Sequence, residues 1–428
     1  MPVLTKVFAR LTTGIHLAWS DAWKHRRLAF ASPIFAFPAV YLLVYGVGAL
    51  LFADRVGSRG PVFAFAVISG FVAYLAAVAM TWSRKPFTDR HPEAPGRWWL
   101  LAAGGLVVIG LISMIAYLFA IGGIPLFMAS VEQARVDAAG RGGAALRVTS
   151  LLALPGVWLF AAVAGTSRRL LGTLAVAGLV IVVAGIQILT ANRAPAFLAV
   201  EVALVTFLLA AGVNRIRITG FALLCTLILM LVVGAGAIGA FRMNGTPTTW
   251  RDPVIARGVA SGDMVALTGR AARNYLIVPI QNFGSTMDAI PLLMPWRFGY
   301  TYLQPLVTVL PGRQTTFDQD LKEALSQDYA GGGTVPSLLG ESYANFGPVG
   351  WIVVPAMIGV LLTTLYSLAM REQTAAGWAL YGWALVHMAN ATISGIVVAN
   401  IFPYIAATIL GGTVLLTRGR RQSPDSIA

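Results

Sequence analysis

The chain has 428 residues, of which 57% are hydrophobic and only 11% charged, whereas about a quarter of an ordinary soluble domain is charged. That balance excludes a soluble globular protein and indicates an integral membrane protein. The net charge of +14 does not indicate a nucleic-acid binder, because the basic residues are scattered between apolar runs and form no single tract.

Taken in chain order, Leu4, Val7, Phe8, Leu11, Ile15 and Ala18 recur at helical spacing, with Lys6 and Arg10 off the stripe. This predicts an amphipathic segment over residues 1–27 that lies on the cytoplasmic leaflet. The first long apolar run begins near Leu28 and exceeds the h-region of a cleavable signal, so it reads as a retained span. Runs near the length of a bilayer crossing follow at 28–51, 61–82, 98–121, 148–164, 170–189, 195–211, 218–238, 349–370, 377–397 and 400–417. The fourth is short and contains Pro155. The single cysteine, Cys225, lies inside an apolar run and reads as packing.

Orientation follows from lysine and arginine. With a cytoplasmic N-terminus, inner segments hold 17 of the 31 basic residues and 5 of the 17 acids. The cytoplasmic side is then strongly positive and the outer side nearly neutral. The expected architecture is an all-α polytopic membrane protein of about ten transmembrane helices, GT-C-like, with both termini cytoplasmic and a large folded external loop. Its parts are a first block over 28–238 with an external loop at 122–147, the large loop over 239–348, a second block over 349–417 and a tail over 418–428. The large loop exceeds the usual length of a structureless connection. Its "TTFDQDLKEALSQ" predicts a helix capped from Thr315, with Leu321, Ala324 and Leu325 on one face.

Several motifs reduce to simpler readings. "GAGAIG" at 234–239 has the spacing of a dinucleotide fingerprint but ends an apolar run with no strand before it, so close helix approach explains it better. "DQD" at 318–320 looks like a metal-binding pair, yet residues two apart on a helix diverge, and a solvated helix start is the expectation. His16, His25 and His91 fall on inner segments. His387 lies within a predicted span near Asn390, either as a functional group or as a satisfied interhelical partner. Arginines recur at outer boundaries, where the positive-inside bias disfavours them, and a guanidinium suits phosphate oxygens.

"GGIPLF" at 122–127 followed by Arg135, "NRAPAF" with Arg193, and "PSLLGESYANFGPVG" near the last block together resemble the bacterial O-antigen polymerase family, the Wzy-type oligosaccharide repeat-unit polymerases. The resemblance implies a glycosyltransferase of the bacterial inner membrane that joins undecaprenyl-diphosphate-linked oligosaccharides on the outer face. It implies inversion without metal or other cofactor, with a flippase and a chain-length regulator as partners beside membrane lipid. Related O-antigen ligases generally use an external histidine, which these loops lack. A GT-C transferase acting on lipid-phosphate sugars would place its acid in the first external loop, where Asp54 is the only one, and a transporter of lipid-linked sugars would show internal repeats.

In the last motif Glu341 is the acid nearest the membrane boundary, and removal from water makes a carboxylate a stronger base. The expected roles are Glu341 as catalytic base, Tyr343 and Asn345 as sugar-binding residues, and Arg135, Arg193 and Arg273 as diphosphate-binding residues. Glu341 could instead cap backbone or pair with an arginine, in which case Asp288 or Asp263 would be the base.

Overall fold

The computed structural model describes residues 9–10, 12–18, 20, 31–52, 59–82, 97–125, 143–167, 170–190, 193–211, 264–307, 315–327, 333–396 and 401–421. Helices account for nearly all of them, and there is no strand among the described residues. The apolar runs become α1 (Ala36–Leu51), α2 (Gly60–Thr81), α3 (Arg97–Ile121), the pair α4 (Ala144–Ser150) and α5 (Ala153–Thr166), α6 (Leu170–Leu189) and α7 (Arg193–Ala211). The large loop supplies α8 (Met264–Ala289), α9 (Tyr300–Val307), α10 (Phe317–Ala324) and α11 (Ser337–Phe346). The last block is α12 (Gly350–Glu372), α13 (Ala375–Ser394) and α14 (Phe402–Arg421). The predicted span at 218–238, with Cys225 and the "GAGAIG" run, lies outside the described residues, as do Arg135 and Asp263.

Six described helical stretches are long and apolar enough to cross a membrane, and α1 and 402–417 of α14 are shorter apolar helices. The fourth predicted run is interrupted at 151–152, between α4 and α5, although together they make one apolar stretch from Ala145 to Thr166. Pro155 causes no break, because it sits in the first turn of α5, where a missing N–H has no helical partner to lose.

Packing fixes the relative directions. Phe65 meets Trp351, Gly70 faces Trp351 and Pro355, Gly359 faces Tyr74, and Trp82 meets Tyr366, so α2 and α12 run parallel. Added Cβ atoms would approach the Trp351 carbonyl to 3.0 Å at Gly70 and the Tyr74 carbonyl to 2.8 Å at Gly359, which is why glycine occupies both positions. Opposite to them, α13 meets α7 through Asn390 on Glu201 and Gly382 on Thr206. The α13 helix is buried along most of its length and packs on α1, α5, α7, α11, α12 and α14, as expected for a helix apolar all round. Hence α2, α7 and α12 begin, and α1 and α13 end, at one end of the bundle.

At that end the large loop is folded. The α8 helix packs on α1 and α11, while α10 packs through Phe317 and Leu321 on Ala289, Ile290, Met294 and Ala344. Its cap is Thr316, one residue later than the sequence suggested, and Gln319 accepts from the Thr316 N–H at 3.0 Å. The solvated helix start is also corrected. Asp318 is only 5% exposed, because its carbonyl accepts from the Thr334 N–H at 2.8 Å and Gly333 leaves its side chain no outlet. Asp320 points elsewhere and accepts from Arg297 at 3.0 Å and Gln304 at 3.1 Å. Near the N-terminus, the described part of 9–20 is helical, with Gly14 against the Ala79 backbone and Ala18 buried, while Ile15 faces outward.

Candidate functional site

The α11 helix is punctuated at both ends. It begins after Pro336, with Ser337 held at φ +63°, a region that costs a non-glycine residue about 1 kcal/mol. Ser337 is fully buried, so the surrounding packing must hold it there. The helix ends at Gly347, whose φ of +61° a residue without Cβ adopts freely, and the chain turns into α12. Gly350 then passes so close to the Ser342 carbonyl that no side chain would fit. This tight pair places α11 against the start of α12 and the end of α13.

Glu341 is at the centre of that junction and 1% exposed. Its Oε1 accepts from the Thr301 hydroxyl of α9 at 3.1 Å, and its Oε2 accepts from the backbone N–H of Ile396, just past the end of α13. The α13 helix stops because Gly395 takes φ +92°, which frees the Ile396 N–H to face the carboxylate. Asn345, one turn on from Glu341, donates to the Thr301 hydroxyl at 2.6 Å and to the Glu341 carbonyl at 2.9 Å. Its Oδ1 accepts from the Gly299 N–H at 2.9 Å, so the side chain is occupied at every polar position. Tyr302 stands beside the carboxylate; burial pushes its phenol well above the usual range, and the Glu341 charge adds to the shift. Tyr45 ties in α1, donating to the Thr392 carbonyl at 2.6 Å and accepting from the Leu339 N–H at 3.4 Å.

Tyr343 is on the other face of α11. Its ring stacks on Trp351 at 5.5 Å and meets Trp296 edge-on at 5.0 Å. Arg273 is exposed on α8, with its guanidinium 5.4 Å above the ring of Phe52, just past the end of α1. Arg193 begins α7. Both therefore belong to the end of the bundle that holds Glu341. Asp288 pairs with Arg59, which precedes α2. Burial pushes the Asp318 carboxyl up, partly offset by its hydrogen bonds. Deeper in the bundle, Asn390 donates to Glu201 at 3.0 Å and His387 stacks on Trp383 at 5.5 Å, so Asn390 is an interhelical partner. Among the described residues no three His, Cys, Asp or Glu side chains gather as metal ligands.

Sequence reasoning missed Thr301 and the Ile396 N–H, both donors on Glu341 among the described residues. Thr301 is 40 positions away, in a run with no catalytic pattern, and a backbone N–H has no sequence signature at all. The available signal was Gly395 at the end of an otherwise unbroken apolar helix.

Chemically, the centre is a carboxylate removed from bulk water that receives a hydroxyl, which in turn receives an amide N–H. That arrangement suits accepting a proton from an alcohol. A family model described as O-antigen polysaccharide polymerase Wzy matches residues 150–410, a stretch containing Arg193, Arg273, Glu341, Tyr343 and Asn345 but not Arg135. No curated protein and no solved structure matches the chain.

Proposed function

The chain belongs to the O-antigen polysaccharide polymerase (Wzy) family, and from that premise we propose that it joins undecaprenyl-diphosphate-linked oligosaccharide units on the outer face of the bacterial inner membrane. The acceptor sugar hydroxyl attacks the anomeric carbon of the donor from the face opposite its diphosphate. The C–O bond to diphosphate breaks as the new glycosidic bond forms, with inversion, and undecaprenyl diphosphate leaves with the bonding electron pair. The hydroxyl proton passes to Glu341. Arginines stabilise the charge on the departing diphosphate, the part a metal ion would otherwise play.

The observation that carries this reading is the Thr301 hydroxyl. It donates to Glu341 and accepts from Asn345, the two contacts an attacking sugar hydroxyl needs. In this reading Thr301 occupies the acceptor position and yields it to substrate. Thr301→Val removes the resident hydroxyl and leaves Glu341 in place. Polymer formation by the purified variant is expected to stay within about tenfold of wild type, because the acceptor hydroxyl takes up both hydrogen bonds that Thr301 makes, with KM changing more than kcat. Inactivity as complete as that of a Glu341 variant would mean that Thr301 is a fixture, and the displacement would be wrong.

The diphosphate role is assigned to Arg193 and Arg273 at this end of the bundle and to Arg135, which lies outside the described residues. A lysine keeps the charge but loses the planar fork that engages two phosphate oxygens. Arg135→Lys and Arg193→Lys are each expected to lower polymer yield about tenfold at matched protein levels, the scale of one charge-assisted hydrogen bond. Wild-type yield from both would remove bidentate recognition from the account.

A further inference from the structure

Residues 290–306, "IPLLMPWRFGYTYLQPL", make up the link from α8 and all of α9 but its last residue, and contain one charged residue, Arg297. Its guanidinium is turned onto Asp320 and lies 5.8 Å above the ring of Phe317. The segment therefore presents no unpaired charge to its surroundings. Instead, large apolar side chains face outward, with Leu292 82% and Phe298 80% exposed and Leu293 and Leu303 more than half exposed. Single exposed apolar residues are ordinary, but a contiguous set marks a surface that something apolar covers.

Two markers fix the level of this segment in the bundle. Arg59, which precedes α2, pairs with Asp288 two residues before the segment starts. Phe346 and Gly347, just before α12, touch the segment from the other side: Gly347 faces Trp296, and Phe346 packs on Gly299 and Tyr302. The outward apolar face then continues through Phe346 and Val349 to Ile352 and Met357 of α12, a membrane-spanning helix. The surface of 290–306 is thus continuous with the lipid-facing side of α12. It also carries Trp296 and Tyr300, residue types that collect at membrane interfaces.

We propose that residues 290–306 are sunk into the lipid leaflet at this end of the bundle, forming an apolar rim that holds α11 and Glu341 at the membrane boundary. The partner is the bilayer surface itself. The proposal rests on the membrane topology and not on the polymerase reading, and it can fail or stand independently of that reading.

The test places a single cysteine at Leu292→Cys, Phe298→Cys or, as an aqueous reference on exposed Glu323 of α10, Glu323→Cys, each in a Cys225→Ser background. The purified full chain is labelled with an environment-sensitive fluorophore and reconstituted into phosphatidylcholine vesicles. Brominated acyl chains are expected to quench the labels at 292 and 298 several-fold more than the label at 323, with the order reversed for aqueous iodide. Iodide quenching at 292 and 298 equal to that at 323 would overturn the proposal. Protection from both quenchers that disappears on dilution into excess lipid would also overturn it, by assigning the face to a second copy of the chain.

Discussion

Glu341→Gln is expected to reduce polymer formation about 10²–10⁴-fold, the usual contribution of a positioned general base, at wild-type protein levels. The substitution keeps the side-chain shape. Its carbonyl oxygen can still accept from the Ile396 N–H or from the Thr301 hydroxyl, so the junction of α9, α11 and α13 retains most of its ties. What it removes is the capacity to take up a proton. Donor binding measured separately with purified protein should be retained, because no diphosphate contact is assigned to this residue. Near-normal turnover by Glu341→Gln would make the carboxylate a tie between helices and nothing more. The base would then have to be sought elsewhere. Asp288 pairs with Arg59 in an exposed position, and Asp263 lies outside the described residues.

Asn345→Leu is expected to abolish polymer formation by a different route. Leucine nearly matches asparagine in size but breaks three hydrogen bonds at once. The Gly299 N–H and the Glu341 carbonyl lose a partner, and the Thr301 hydroxyl loses the donor that orients it. A buried polar group left without a partner costs about 1–3 kcal/mol; the Gly299 N–H is left so, while the Glu341 carbonyl keeps the backbone N–H of its own helix and Thr301 keeps its bond to Glu341. The variant should show a lower unfolding temperature in detergent and faster proteolysis between α8 and α11, whereas Glu341→Gln should show neither. An Asn345→Leu protein as stable as wild type but inactive would leave Asn345 only the contact to the acceptor hydroxyl and remove its part in holding the site.

The membrane-spanning part of the fold was legible because a bilayer imposes a length and a polarity that a sequence displays directly. The run 170–189 coincides with α6, and 195–211 falls within α7. Even Pro155, which made its run look broken, has a local explanation in the first turn of α5. The large loop was legible only as folded. The helix containing Leu321 was visible from its cap and periodicity, but Asp318 was expected in water and is buried, since Thr334 and Gly333 close over it. Glu341 could be singled out from the sequence by its place at a boundary. Its environment could not, because its partners come from α9 and from the break after α13, 40 and 55 positions away. Arg297 was visible as one of many boundary arginines, yet its pairing with Asp320 depends on how α10 folds back over the loop.

The most direct measurement of the central claim is reconstitution of the purified wild-type chain in vesicles with undecaprenyl-diphosphate-linked repeat units as the sole substrate. Polymer length and released undecaprenyl diphosphate are then counted together. A ladder of products is expected, with one lipid diphosphate released for every linkage formed and each new linkage opposite in anomeric configuration to the donor. Vesicles that move the lipid-linked units across the membrane without joining them, or that release diphosphate without forming a ladder, would contradict the claim.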